Sequence, residues 1–196
     1  MEAAAAVVEL AQLCRALAAA GLVGGRAGNA SVRWDGGLVV TPTGQSLADL
    51  RPSQLAVVDS LGRVLGGDPP SSELSLHALL YGARPDAGAV VHLHSPALVA
   101  LALRGRRWRP AEGEAAARFG TVPVVLRRPA GSAALAAATA QAAGGKPPPA
   151  LLLLRGHGAV LLAPTAAAAH LDAVAAERAA LVDLYRALWQ VVDRHG

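Results

Sequence analysis

His92 and His94 lie two positions apart in the apolar run Ala89-Val90-Val91-His92-Leu93-His94-Ser95. Such a run reads as a buried strand, in which alternate side chains point to one face, so the two imidazoles project side by side. A lone strand histidine is commonly a hydrogen-bonded core residue. Burying two without partners is costly, and a divalent metal is the usual way of pairing them. His157 sits between Gly156 and Gly158 in a turn between apolar runs, where little bulk blocks a ligand, and Glu73 stands ahead of the histidine strand. Three imidazoles with one carboxylate suit zinc, or else Mn2+, Co2+ or Fe2+. An ion with an exchangeable position is a Lewis acid that polarises a carbonyl and stabilises an enediolate. Glu73, if released from the ion, can carry protons. His77, four residues after Glu73, shares a helix face with it. It reads either as a support for the site or as a core or capping residue.

Three clusters of glycine and small polar residues lie upstream: Gly28-Asn29-Ala30-Ser31, Thr43-Gly44 and Ser71-Ser72. Each offers backbone N–H groups and a hydroxyl or amide. Ser71-Ser72 reads as a helix N-terminus, where free N–H groups and the helix dipole favour an anion. Together they suggest a phosphate pocket beside the metal. Arg26 and Arg33 are candidates for added charge, although no spacing argument selects either.

The elements that must position these groups follow from periodicity and punctuation. Residues 3–20 read as a helix stopped by Gly21, Gly24 and Gly25. Ser31–Trp34 and Leu38–Thr41 flank Asp35-Gly36-Gly37 as a hairpin, and Leu55–Asp59 with Arg63–Leu65 reads as another. A helix with a serine N-cap opens at Ser71-Ser72-Glu73, followed by strand 89–94 and a helix from Pro96 to Leu103. Residues 104–119 read as an irregular polar loop, Val122–Leu126 as a short strand and Ala133–Ala143 as a helix. Leu151–Leu154 and Ala159–Leu162 are buried strands, and Thr165–Arg194 is a long amphipathic helix with Glu177, Arg178, Asp183 and Arg186 on polar faces. His170 and His195, on that helix, read as structural or surface residues. Neither an internal repeat nor a second domain is evident, so residues 1–196 are expected to form one domain.

Composition narrows the function classes. The chain has 196 residues, 53% of them hydrophobic, enough for a sizeable core. No charge-free apolar run reaches membrane-spanning length, and Glu2 and Glu9 replace the basic start of a signal peptide. Cys14 is the only cysteine and reads as a small buried hydrophobe, which fits a cytoplasmic protein. The net charge of +4 is scattered, and the cluster Arg104 to Arg109 reads as a solvated loop because no nucleic-acid motif accompanies it.

The segments Gly28-Asn29-Ala30-Ser31-Val32-Arg33, Thr41-Pro42-Thr43-Gly44, Pro70-Ser71-Ser72-Glu73, Val91-His92-Leu93-His94-Ser95 and Arg155-Gly156-His157-Gly158 together resemble the class II aldolase/adducin family, most closely its L-fuculose-1-phosphate aldolases. The resemblance implies an α/β fold with three layers, a mainly antiparallel sheet covered by helices. It implies one divalent metal per chain, usually Zn2+, on His92, His94 and His157, with Glu73 as the acid/base residue that also contacts it. It implies a phosphate-binding set of Asn29, Thr43, Gly44, Ser71 and Ser72. The activity implied is cleavage of a ketose 1-phosphate to dihydroxyacetone phosphate and an aldehyde, in a homotetramer with sites between subunits and no nucleic-acid or membrane partner. The same scaffold serves epimerases, decarboxylases and dehydratases of sugar phosphates, and in adducin a non-catalytic interaction module. One departure stands out. The fuculose-phosphate aldolases carry a proton-donating tyrosine in the middle loop, whereas Trp108 to Phe119 holds none and offers only Glu112 and Glu114 in its place.

Overall fold

A computed structural model describes residues 1–194; His195 lies outside the described residues. Eight strands form one sheet: β1 (Asn29–Trp34), β2 (Gly37–Val40), β3 (Ala56–Asp59), β4 (Val64–Gly66), β5 (Ala89–Leu93), β6 (Val124–Val125), β7 (Leu151–Leu154) and β8 (Gly158–Ala163). Their order across the sheet is β4-β3-β2-β1-β5-β8-β7-β6, antiparallel throughout except for the parallel pair β6–β7. Among the described residues six α-helices accompany it: α1 (Ala3–Ala19), α2 (Leu74–Ala83), α3 (Pro96–Arg104), α4 (Gly113–Phe119), α5 (Ala133–Ala143) and α6 (Ala166–Val192).

Helices cover both faces, which makes three layers. Ala30, Val32, Val91, Leu93, Leu151, Leu153 and Leu161 point to the face packed by α1, α3, α4 and α6. Their neighbours Val90, Leu152, Leu154, Val160 and Leu162 point to the face packed by α2 and α5. With both faces dry, the central strands need apolar side chains at every position, which is why β7 reads Leu-Leu-Leu-Leu. Burying each of those leucines contributes about 1.5–3 kcal/mol. The alanines that dominate α6 let it lie close to the sheet: Ala169, Ala173, Ala176 and Ala180 are fully buried.

Both hairpins and the helices at 3–20 and 133–143 form where the sequence places them. Four features differ. Strand β5 ends at Leu93, so His94 lies just beyond the ladder. Residues 104–119 are not wholly irregular: Glu112 accepts hydrogen bonds from Glu114 N and Ala115 N and starts α4. A glutamate is an uncommon N-cap, which hides this start in the sequence. The Val122–Leu126 strand shrinks to Val124–Val125, with Val122 bridged instead to Trp108. Glu177 is on no polar face. It is buried and accepts from Ser95 Oγ at 2.7 Å, Ala97 N at 2.9 Å and Leu98 N at 3.0 Å, capping α3 from across the layer.

Candidate metal centre and anion cleft

β5 lies between β1 and β8, and its C-terminal end carries the histidines. Register places Asn29 of β1 directly opposite His92, on the face covered by α2. β7 and β8 are joined by the three-residue turn Arg155-Gly156-His157, which returns His157 toward β5. Two glycines allow this crowding. A Cβ on Gly28, which has a φ of +81°, would stand 2.7 Å from the His92 carbonyl oxygen. A Cβ on Gly158 would collide with the Leu93 carbonyl.

The side chains of His92, His94 and His157 converge on one point. His92 Nε2 is 2.8 Å from His94 Nε2 and 3.3 Å from His157 Nε2. Glu73 adds its carboxylate, Oε2 lying 3.3 Å from His92 Nε2 and Oε1 lying 3.9 Å from His157 Nε2. His92 Nδ1–H donates to the Ala159 carbonyl at 2.9 Å, so Nε2 carries the lone pair and aims it at the cluster. Burial pushes His92 down to about 3, with Glu73 opposing and the other two imidazoles reinforcing the shift. Burial and His157 also lower His94, against Glu73. Neutral imidazoles are what a metal requires. A tetrahedral ion with bonds of about 2.0–2.1 Å holds its ligand atoms about 3.4 Å apart, close to the spacing seen. The His92 lone pair, the two further imidazoles and the carboxylate gathered beside it form a donor set that fits a divalent ion.

Glu73 occupies the N-cap position of α2, which begins at Leu74. Its side chain does not cap the helix but turns to the imidazoles. The serine N-cap expected at Ser71-Ser72 is therefore displaced, and Ser71 Oγ accepts from Glu73 N at 3.2 Å. Burial raises the Glu73 pKa, but the imidazoles, the Asn29 amide and the Gly131 N–H together lower it by more, so the carboxyl lies below its ordinary range.

A cleft of about 420 Å3 opens over these groups. Asn29, Thr43, Gly44, Ser71, Ser72, Glu73, His94 and His157 all line it, so the structure brings the sequence-selected groups to one place, with His92 buried beneath. Thr43 N–H and Ser71 N–H are already committed to the Pro69 and Thr41 carbonyls. Their contribution to an anion would come through hydroxyls. Arg26 lines the cleft, while Arg33 does not. The Arg33 guanidinium donates to the Ala87, Tyr81 and Arg84 carbonyls at the end of α2 and lies over the Tyr81 ring. Arg106, Arg107 and Arg109 are exposed and line no part of the cleft, and among the described residues Glu73 is the only carboxylate lining it.

Sequence reasoning missed the segment Ala130-Gly131, whose Gly131 N–H reaches Glu73 Oε1 at 3.4 Å. Its signal was present. Pro129-Ala130-Gly131-Ser132 is one more cluster of small residues ahead of a helix, with Ser132 capping α5. His77 is fully buried and hydrogen-bonded to Asn29 and Ser31, and it caps no helix.

A three-layer α/β scaffold carries, at the end of a central strand, three histidines that could hold a metal ion, with a carboxylate beside them. Residues 8–184 match the Class II Aldolase and Adducin N-terminal domain family, and the chain belongs to it. It is 45% identical over 97 residues to the 5-methylthioribulose-1-phosphate/5-deoxyribulose-1-phosphate aldolase of Rhodospirillum rubrum, covering 50% of this chain and 44% of that protein. It is 47% identical over 93 residues to the 3-oxo-tetronate 4-phosphate decarboxylase of Haemophilus influenzae, covering 47% of this chain and 44% of that protein. The chain thus matches less than half the length of these curated relatives. Among solved structures, L-fuculose-1-phosphate aldolase from Thermus thermophilus superposes with a TM-score of 0.84 at 31% identity, covering 95% of this chain and 96% of that one. Among the described residues no helix is long and apolar enough to cross a membrane.

Proposed function

We propose that this chain is a divalent-metal-dependent lyase that cleaves a ketose 1-phosphate to dihydroxyacetone phosphate and an aldehyde. The observation that carries the reading is the convergence of His92, His94 and His157 with Glu73 at the floor of a cleft walled by hydroxyls and an arginine. The three histidines and Glu73 would hold the ion, with Zn2+ the best match to the donor set. Such an ion supplies Lewis acidity, lowering the cost of negative charge on a substrate oxygen.

The rest is done by the chain. Hydroxyls of Thr43, Ser71 and Ser72, backbone at Gly44, the Asn29 amide and Arg26 would bind the phosphate at the rim. Binding there fixes the reacting carbons over Glu73 without touching the bond that breaks. Glu73 accepts the proton of the substrate hydroxyl as the carbon–carbon bond breaks, and the bonding pair stays on the dihydroxyacetone phosphate fragment. Glu73, the only carboxylate among the described residues that line the cleft, then returns the proton to that carbon. We place the protein in the cytoplasm as one domain over residues 1–196, assembled as a homotetramer with cleft rims at subunit contacts.

Decarboxylation of a sugar-acid phosphate is a second reading, favoured by the 47% identity to a decarboxylase. Incubating the Zn2+-loaded protein with 5-deoxyribulose 1-phosphate, fuculose 1-phosphate and 3-oxo-tetronate 4-phosphate separates the two. Dihydroxyacetone phosphate, read by a coupled dehydrogenase, supports aldol cleavage. Carbon dioxide release assigns decarboxylation. Neither product from any substrate removes both readings and leaves epimerisation, dehydration or a non-catalytic interaction module.

A further inference from the structure

Two side chains of α2, together with its N-cap Glu73, and two of β1 interleave into one buried hydrogen-bond chain. Glu73, His77 and Tyr81 stand four residues apart along one row of the helix, and Asn29 and Ser31 stand two apart on the facing strand. Four helical residues rise about 6.0 Å and two strand residues about 6.6 Å, so the two rows mesh tooth by tooth. The contacts run Tyr81 Oη to Ser31 Oγ at 2.9 Å, Ser31 Oγ to His77 Nδ1 at 2.7 Å, His77 Nε2 to Asn29 Oδ1 at 2.6 Å, and Asn29 Nδ2 to Glu73 Oε2 at 2.9 Å. Ser31 and His77 have no exposed surface at all.

The direction of every bond follows from the carboxylate end. An ionised carboxylate only accepts, so Asn29 must turn its amide N–H toward Glu73 and its oxygen toward His77. His77 then carries its proton on Nε2 and accepts from the Ser31 hydroxyl at Nδ1. Ser31 in turn accepts from the Tyr81 hydroxyl. All four donors point toward Glu73. A carboxamide does not pass protons along, so this chain orients the carboxylate and does not conduct to it.

We propose that His77 is a positioning residue: held as the Nε2–H tautomer by Ser31 and Tyr81, it locks the flip of the Asn29 amide and so fixes the Glu73 carboxylate against the histidine cluster. The assignment rests on the reading of Glu73 as a metal contact and proton carrier. It also gives Asn29 a duty to Glu73 that precedes any contact with a phosphate.

Two measurements test it, and neither needs turnover. In the metal-free protein, long-range 1H–15N correlation spectra should show one buried neutral imidazole protonated at Nε2, absent in His77→Gln. An Nδ1–H tautomer or an imidazolium at His77 at pH 7 overturns the proposal. Zn2+ affinity, measured by chelator competition, should fall about tenfold in His77→Leu, the low end of the range found when a direct partner of a metal ligand is removed, because His77 acts one bond further out through Asn29. His77→Gln should stay within about threefold of wild type, because a carboxamide can donate to Asn29 and accept from Ser31 at the same separation as the two ring nitrogens. Equal losses in Leu and Gln, or no loss in Leu, would refute the role. If His77→Leu does not fold, Ser31→Ala, which removes the acceptor's partner, replaces it with a loss of the same direction expected. If wild type binds no Zn2+, the metal-centre reading fails, while the tautomer still decides the part played by His77.

Discussion

Two buried glutamates, Glu73 and Glu177, sit on opposite faces of the same sheet, and their surroundings differ in what they leave undone. Glu177 receives two backbone N–H groups and a serine hydroxyl, all from the first turn of α3. Its oxygens complete a helix end that would otherwise be buried and unsatisfied. Glu73 receives the Asn29 amide and a longer contact from Gly131, and its oxygens also face His157 and the imidazole of His92, whose Nε2 offers a lone pair instead of a proton. A buried acid is therefore no sign of chemistry by itself. An acid whose neighbours are also acceptors is one, because only a cation or a transferable proton reconciles them.

The same substitution at the two positions should break that symmetry most visibly. Glu73→Gln is expected to lower kcat about 100- to 10,000-fold in a folded protein. Glu177→Gln should lower stability by about 1–3 kcal/mol in urea unfolding, with kcat per folded molecule changed far less. Comparable kcat losses in both would mean that Glu73 is as structural as its counterpart. Replacing His92 and His94 together with alanine should remove about one metal ion per chain by plasma mass spectrometry, and α3, capped by Glu177, should persist.

A smaller effect separates the faces by pH. Burial pushes His77 down to about 4 and His92 to about 3, so both are neutral when folded, whereas in the unfolded chain they titrate near 6.5. Between about pH 6.5 and pH 4 the unfolded state then binds up to about two more protons than the folded one. Stability of the metal-free protein should be full above that window and fall as pH drops through it. His77→Gln should flatten the slope by about one proton, which urea titrations at several pH values would read. Smallest of all, Arg26→Ala at the exposed rim should raise KM for a phosphorylated substrate by about tenfold, with a lesser change in kcat.

How much of this was legible varies with the range over which the signal acts. The His92–His94 pair was, because the two-residue period of a strand survives one residue past the end of β5. The polar clusters at Gly28–Ser31, Thr43–Gly44 and Ser71–Ser72 were legible as clusters, because turns demand small residues wherever they occur. Their convergence was not, since it depends on β1 pairing with β5 in the register Asn29 to His92, which no local pattern encodes. The row Glu73, His77, Tyr81 and the pair Asn29, Ser31 each showed their period in the sequence, but not that the two would mesh. Glu177 was misread for another reason. Its charge suggested solvent, yet it lies within the buried stripe of Ala173, Ala176 and Ala180, and that stripe was the better guide.

The position of β8 between β5 and β7 also sets the timetable of the site. His92 leaves the ribosome 65 residues ahead of His157, an interval of several seconds at ordinary translation rates. During that time β5 has only β1 beside it, and its other edge is an open row of amides waiting for a strand not yet made. The strand that closes the edge begins with the turn that delivers the last imidazole. β8 follows directly on His157, so the last imidazole and the strand that fills the edge of β5 emerge together, ahead of α6, whose alanines cover the opposite face.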